Sequence, residues 1–349
     1  MERPIRVLMI TSAWPHRGQE ATTHFIQRQA NFLMAAGVEV DVFHFKGLRQ
    51  PWRYARPWVE VRRRLLTREY DLVHAQFGQS GLLALPKRIP LVVTFRGSDL
   101  LGIVSDRDGQ RTWVGRALQA ASRLVARQAD AVVVVSEHMK ESLPTGVKAT
   151  VIPSGLDFSL FRPHPRDEAR RRLGLDPDRP LVLFAGRPTQ GRKRYQLAEQ
   201  AVSILQRSVP AELVVLWGVA HTEVPLYMSA ADVLVFTSLQ EGSPNVVKEA
   251  LACDLPVVSV PVGDVPERIR DIVGCELCVD ERPETIAAAL ERALRRGARV
   301  RGRVAVQSLD ESVQTGRLIE LYQGVMRKRA GPATHAPEAR IPAPAGAEE

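Results

Sequence analysis

Cysteine is scarce: Cys253, Cys275 and Cys278 are the three in 349 residues. That is too few for a disulfide framework, and they read as ordinary reduced thiols. Cys275 and Cys278 have CxxC spacing, but no second Cys/His pair lies nearby to complete four zinc ligands. No window approaches the run of about 18 apolar residues that a membrane-spanning helix needs. The opening MERPIRVLMITSAWP puts charge beside a short strand-like run. It lacks the apolar core and small-residue cleavage site of a signal peptide. These absences predict a cytoplasmic protein.

What is present is basic. Lys plus Arg number 48 against 39 Asp plus Glu, a net charge of +9. Such a surface favours nucleotides, nucleic acid or acidic lipid. No nucleic-acid-binding motif accompanies the charge, so that partner is not expected. At 45% hydrophobic and 25% charged, the chain has a globular composition, and its length suits two domains.

Apolar runs recur, each closed by turn residues. The first half has IRVLMIT, VEVDVF, DLVHAQ, PLVVTF, AVVVVS and ATVIPS. The second has PLVLFAG, AELVVLWG, ADVLVFTS and LPVVSV. They are continuous rather than alternating, as strands buried on both faces of a parallel sheet are. Helical patterns such as THFIQRQANFLMAAG and YQLAEQAVSILQRS sit between them, which implies doubly wound parallel sheets. The series pauses in a Pro-, Asp- and Arg-rich stretch. The expected division is a first Rossmann-like domain over 1–160, a linker with a short helix over 161–179, and a second such domain over 180–305. A helix over 306–329 then packs back across the domains, and a Pro/Ala/Glu-rich tail over 330–349 is disordered. Ligands of open α/β sheets bind at the carboxyl ends of the strands, so a cleft between the two domains is the expected site.

One stretch points to chemistry. In FTSLQEGSPNVVKEA, a buried strand ends near Ser238 and a loop carries Glu241 and Gly242. Ser243 reads as an N-cap and Pro244 as the first helical residue. The helix start then offers its free N–H groups and positive dipole end to an anion. Gly242 would let a ligand approach the backbone. Glu241 could hold sugar hydroxyls and Glu249 a ribose. Capping alone, with a solvated Glu249, explains the same letters.

The segment EGSPNVVKEALACDLPVVSVPVGDVPE closely resembles the E-x7-E segment of the retaining GT-B glycosyltransferases of group 1, a family-4-like set. DLVHAQFGQSGLLAL, PLVVTFRGSD, VVVVSEHMKESL, VIPSGLDFSLFRP and LFAGRPTQGRKRYQLAEQAV resemble that family's landmarks in order, up to about Lys328. The resemblance implies a GT-B fold of two Rossmann-like domains facing across a cleft. It implies transfer of a sugar from a UDP- or GDP-linked donor to a saccharide or lipid-linked acceptor, with retention. It needs no cofactor and no metal. Arg187 and Lys193 match the basic pair on the donor diphosphate, and Glu241 the glutamate on the sugar. The backbone from Gly242 through Ser243, Pro244 and Asn245 to Val246 lies along sugar and phosphate, and Glu249 matches the ribose ligand. Gly18 in the first loop, and Gly218 and Val219 near the base, complete the donor set.

Some features depart from that pattern. Arg96 stands where the family usually has His. It serves either an anion, such as a phosphate or an acidic sugar, or an ion pair with Asp99. Asp254 replaces a common Gly in a turn. His74 ends a strand at the cleft, as either a satisfied core residue or a substrate contact. Asp106–Asp108 and Asp176–Asp178 carry the letters of a metal-binding Asp-x-Asp, but both read as turns. PWRYARPWVEVRRRLLTREYD, with Trp52, Arg53 and Trp58, is either a solvated helix or a surface for anionic membrane at the inner face. Other readings of the whole chain are a non-catalytic sugar-nucleotide-binding protein and an epimerase of the same fold. The expected role is cell-surface polysaccharide synthesis.

Overall fold

The computed structural model describes residues 3–15, 24–46, 54–105 and 109–330. Gly18, Trp52, Arg53, the stretch Asp106–Asp108 and the tail beyond Ala330 lie outside these residues. All ten apolar runs are strands. β1 (Arg6–Thr11), β2 (Glu39–His44), β3 (Leu72–Gln76), β4 (Leu91–Phe95), β5 (Ala131–Val134) and β6 (Ala149–Val151) form one sheet, ordered β2-β1-β3-β4-β5-β6. β7 (Leu181–Ala185), β8 (Glu212–Leu216), β9 (Val233–Phe236), β10 (Val257–Ser259) and β11 (Glu276–Leu277) form the second, ordered β11-β10-β9-β7-β8. Every pairing in both sheets is parallel. The edge strand β11, only two residues long, is too short to leave a pattern in the sequence.

The strands run apolar throughout because both faces are covered. In β1, Leu8 and Ile10 enter one core with Val73, Val93 and Phe95. Val7 and Met9 point the other way, into a core with Ile26 and Leu33 of the helix His24–Ala35. This is the two-residue alternation of a strand. Each sheet also has the reversal of strand order at which such folds bind ligands, between β1 and β3 and between β7 and β9.

The chain crosses between lobes at 152–156. Ile152 belongs to the first lobe's core and Leu156 to the second's. The return crossing lies alongside, with Leu156 N donating to Leu309 O at 2.7 Å and Glu311 N to Leu156 O at 2.8 Å. The helix Glu311–Ala330 then packs Leu318, Tyr322 and Val325 onto Val7 and Met9. Their spacing of four and three residues makes one helical face.

Many basic residues serve the fold. Arg170, fully buried in the helix Arg166–Leu173, donates to the carbonyls of Ala230, Asp176, Pro177 and Arg179 and to the carboxylate of Asp232. Asp176 accepts from the N–H groups of Asp178 and Arg179, so this Asp-x-Asp is a turn. In the helix Ala55–Thr67, Arg63 and Arg64 pair with Glu60, and Arg64 also with Asp41. Arg62 donates to Pro86 O and Leu83 O. Asp254 takes a left-handed turn at φ 55° and accepts from Arg303 N, a conformation that Asp tolerates better than most residues. The three cysteines are free thiols, pushed up by burial to about 12 at Cys253 and about 11 at Cys275 and Cys278. Among the described residues, no helix is long and apolar enough to cross a membrane.

Candidate active site

A cavity of about 340 Å³ opens between the lobes at the carboxyl ends of their strands. The second lobe supplies Gly186 and Lys193 beyond β7, Trp217, Gly218, Val219 and His221 beyond β8, and Glu241 beyond β9. Ser243, Pro244, Asn245, Val246 and Glu249 follow on and around the helix Asn245–Ala252. The first lobe supplies His24, Phe25 and Arg28 from one helix and Arg96 from the loop after β4, while Ser154 comes from the crossing.

Glu241 is the centre of charge on the second lobe. Its Oε1 accepts from Lys193 Nζ and from Arg192 Nη1, each at 2.7 Å. Burial acts to raise its carboxyl, and the fields of Lys193 and Arg192 more than offset that, leaving it below the ordinary value. Glu249 lies 3.7 Å from His221 Nε2, and His221 stacks on His24 across the cleft with ring centroids 4.5 Å apart. Asn245 Oδ1, at the helix start, is buried without a partner among the described residues. A buried acceptor left this way is an anomaly that a ligand donor would relieve.

The helix start differs from the expected one. Ser243 does not cap it. Its hydroxyl donates to Asp264 Oδ2 at 2.8 Å, and Arg268 also holds that carboxylate. Pro244 takes the cap position in extended conformation, and the helix begins at Asn245. A buried carboxylate is a stronger acceptor for the hydroxyl than a helix N–H is a donor to it.

Gly242 has a different use from the one its sequence context suggests. A Cβ there would lie 2.5 Å from Arg96 O and 3.1 Å from Gly97 Cα. Ser136 Oγ also donates to Gly242 O at 2.8 Å. The backbone that approaches Gly242 is the other lobe's, so this glycine lets the lobes touch.

The first-lobe candidates divide sharply. His74 is fully buried, its Nε2 2.8 Å from Thr94 Oγ1 and its Nδ1 2.6 Å from the hydroxyl of Tyr322. Burial, with Arg96 nearby, pulls its imidazole down to about 3. It is a satisfied core residue and not a cavity contact. Asp99 is buried too. Its carboxylate accepts from the backbone N–H groups of Gly78, Arg96 and Gly97, and burial pushes it up. It does not pair with the Arg96 guanidinium and does not line the cavity.

Arg96 does line it. Its Nε and Nη2 donate to Gln76 Oε1 at 3.0 and 2.6 Å, Nη2 to Gln29 Oε1 at 3.0 Å, and Nη1 to Ser154 Oγ at 2.7 Å. Burial lowers it to about 10, so it stays charged at neutral pH. Arg187 stands apart: exposed, with its guanidinium 6.0 Å above the Trp217 ring and outside the cavity wall. The sequence reading missed His24, Phe25, Arg28, Ser154, His221 and the buried Lys248. Lys248 donates to Ser154 O at 3.1 Å, and burial with Arg268 brings its ammonium down to about 7. Lys248 and Ser154 lie inside the landmark segments but carry no assigned role there, and the contacts between first-lobe and second-lobe members form only when the lobes meet. Among the described residues, no group of three His, Cys, Asp or Glu side chains could hold a metal.

Two parallel α/β lobes that face each other across a cleft at the ends of their strands make the GT-B fold. Solved structures agree. Sucrose-phosphate synthase of Thermosynechococcus elongatus superposes with TM-score 0.74 at 20% identity over 92% of this chain and 99% of that one. Anabaena Alr3699/HepE, crystallised with UDP-glucose, gives TM-score 0.65 at 18% identity over 92% and 100%. Residues 1–160 match the model of Glycosyltransferase Family 4, and residues 181–296 that of Glycosyl transferases group 1. The chain belongs to this family of glycosyltransferases. TuaC of Bacillus subtilis, named for teichuronic acid biosynthesis, is 32% identical over an alignment of 219 positions that covers 56% of this chain and 54% of TuaC. The match thus spans about half of that relative's length.

Proposed function

We propose that this protein transfers a sugar from a nucleoside diphosphate donor to a hydroxyl of a saccharide or lipid-linked acceptor, with retention of configuration and without a metal. The observation that carries this reading is one cavity holding Lys193, the start of the helix Asn245–Ala252, Glu241 and Glu249. The diphosphate sits at the helix N-terminus, where N–H groups and dipole favour anions. Lys193 turns toward it, and with the helix end stabilises the charge that grows on the leaving group. Such a contribution is typically worth about 3–4 kcal/mol for one donor. Arg187 joins by swinging its flexible stem from over Trp217. Glu241 holds the sugar and Glu249 the ribose, with the base against Trp217, Gly218 and Val219. HepE's complex with UDP-glucose makes the UDP series the first to try. TuaC's name, for teichuronic acid biosynthesis, supports a role in polysaccharide synthesis.

The test is a thermal-shift panel of UDP, GDP, ADP and their sugar conjugates on wild type and Glu249→Gln, followed by product analysis with acceptors. Ligand at about 100 times its Kd stabilises by about 2.7 kcal/mol. A shift with one nucleotide, weakened in the variant, supports the reading. No shift with any of them would sink it. Binding without transfer would favour a non-catalytic role, and donor conversion with no acceptor present an epimerase.

A further inference from the structure

We propose that the donor sugar carries a carboxylate and that Arg96 reads it. This rests on the donor-site reading above and names its substrate class more closely.

Glu311 and Asp99 act on the Arg96 charge through space, but no carboxylate among the described residues is in contact with it. Arg96 makes four hydrogen bonds, all to neutral groups: the amide oxygens of Gln76 and Gln29 and the hydroxyl of Ser154. Among the described residues it has no ion pair with any carboxylate. Its neighbours differ. Arg28, on the same wall, is neutralised by Glu311 at 2.8 Å. Lys193 and Arg192 share Glu241, and Arg194 has Glu281. Asp99, three residues on, has its oxygens committed to backbone N–H groups.

The guanidinium is also held in place. Gln76 Nε2 donates to Gln29 Oε1 at 2.8 Å, so the two amides that grip Arg96 grip each other. Phe25 lies with its ring centroid 4.9 Å from the guanidinium carbon. A guanidinium has five N–H donors. Four bonds leave one hydrogen on Nη1 with no partner among the described residues. A permanent cation, fixed at a cavity wall with a donor to spare, is built to receive an anion.

Position separates the sugar from the diphosphate. The Arg96 side chain belongs to the first-lobe wall, whereas Lys193 and the start of the helix Asn245–Ala252 belong to the second-lobe wall. The diphosphate has its own cation and helix end on the second lobe. The group that faces Arg96 is therefore on the sugar side of the bond to be broken. A neutral sugar would give this cation no charged group in contact, whereas a carboxylate would pair with its remaining N–H directly.

The experiment measures binding of UDP, UDP-glucose and UDP-glucuronic acid, and of GDP, GDP-mannose and GDP-mannuronic acid, by calorimetry to wild type, Arg96→Gln and Arg96→His. Within the series that binds, the acidic conjugate should bind wild type about 10 to 100-fold more tightly than the neutral one, as expected for a charge-assisted contact. Arg96→Gln and Arg96→His should reduce that ratio to about threefold or less while leaving the bare diphosphate unchanged. Equal affinity of wild type for acidic and neutral conjugates overturns the proposal, whatever the variants do. Equal weakening of bare diphosphate and conjugates by Arg96→Gln overturns it in favour of a phosphate contact. If neither series binds, the donor-site reading fails and this inference fails with it, a result distinct from binding without preference.

Discussion

The two walls of the cleft are built on different plans. The second lobe presents its site from consecutive stretches: Lys193 with Arg192, Trp217 to Val219, and Glu241 to Glu249. Its charges are balanced locally. The first lobe assembles its wall from residues far apart in the chain: His24, Phe25 and Arg28, then Arg96, then Ser154. Its polar groups are spent on one another, and Glu311 of the returning chain completes them. The contrast teaches that the second wall is a local product of strand, loop and helix. The first exists only when the whole chain has closed.

Glu311→Ala should break that contrast most severely. It strips the carboxylate, itself only 2% exposed, from Arg28 and leaves a buried cation. Losing one partner of such a pair costs about 3–5 kcal/mol, read as a fall in the denaturant midpoint. Gly242→Ala tests the contact between the walls. Its Cβ meets Arg96 O at 2.5 Å, so the lobes must part. We expect about 1–3 kcal/mol of destabilisation and weaker nucleotide binding by titration. Gly146→Ala, away from the cavity, is its control: no atom lies within 4 Å of the new Cβ, and only the φ of 84° is strained, at about 1–2 kcal/mol.

Tyr322→Phe should cost about 1–2 kcal/mol, because it orphans His74 Nδ1 in the core. Burial holds folded His74 near 3, below the ordinary value of about 6.5. The unfolded chain therefore binds more protons between those values. Stability from His74 is present above about 6.5 and is lost as pH falls toward 3.

Lys248→Met should have the smallest effect and the opposite sign. Folded Lys248 sits at about 7 against an ordinary 10.5. From pH 7 to about 10.5 the unfolded chain binds more protons, so wild-type stability climbs with pH. The variant should gain about 1 kcal/mol at neutral pH and lose that climb, as unfolding curves at pH 7 and pH 9.5 would show.

These contrasts also explain what was legible in advance. Ten strands were readable because parallel strands buried on both faces leave continuous apolar runs, while β11, at two residues, left none. The second wall was readable because its residues lie close along the chain. Ser243 misled because the competing acceptor, Asp264, lies 21 positions away. Gly242 misled because the backbone it admits belongs to the other lobe. Arg96 announced its charge but not its partners, since Gln76, Gln29 and Ser154 adjoin it only in three dimensions.

The returning helix has a consequence for how the chain is made. Val7 and Met9 pack against Leu318, Tyr322 and Val325. On the ribosome the first sheet emerges early, and the helix His24–Ala35 covers part of this face, yet the part under Leu318, Tyr322 and Val325 stays wet until the second lobe has been synthesised and the last helix docks. The first lobe is thus finished after the second, and translation of the intervening chain sets the time for which that face is open to chaperones.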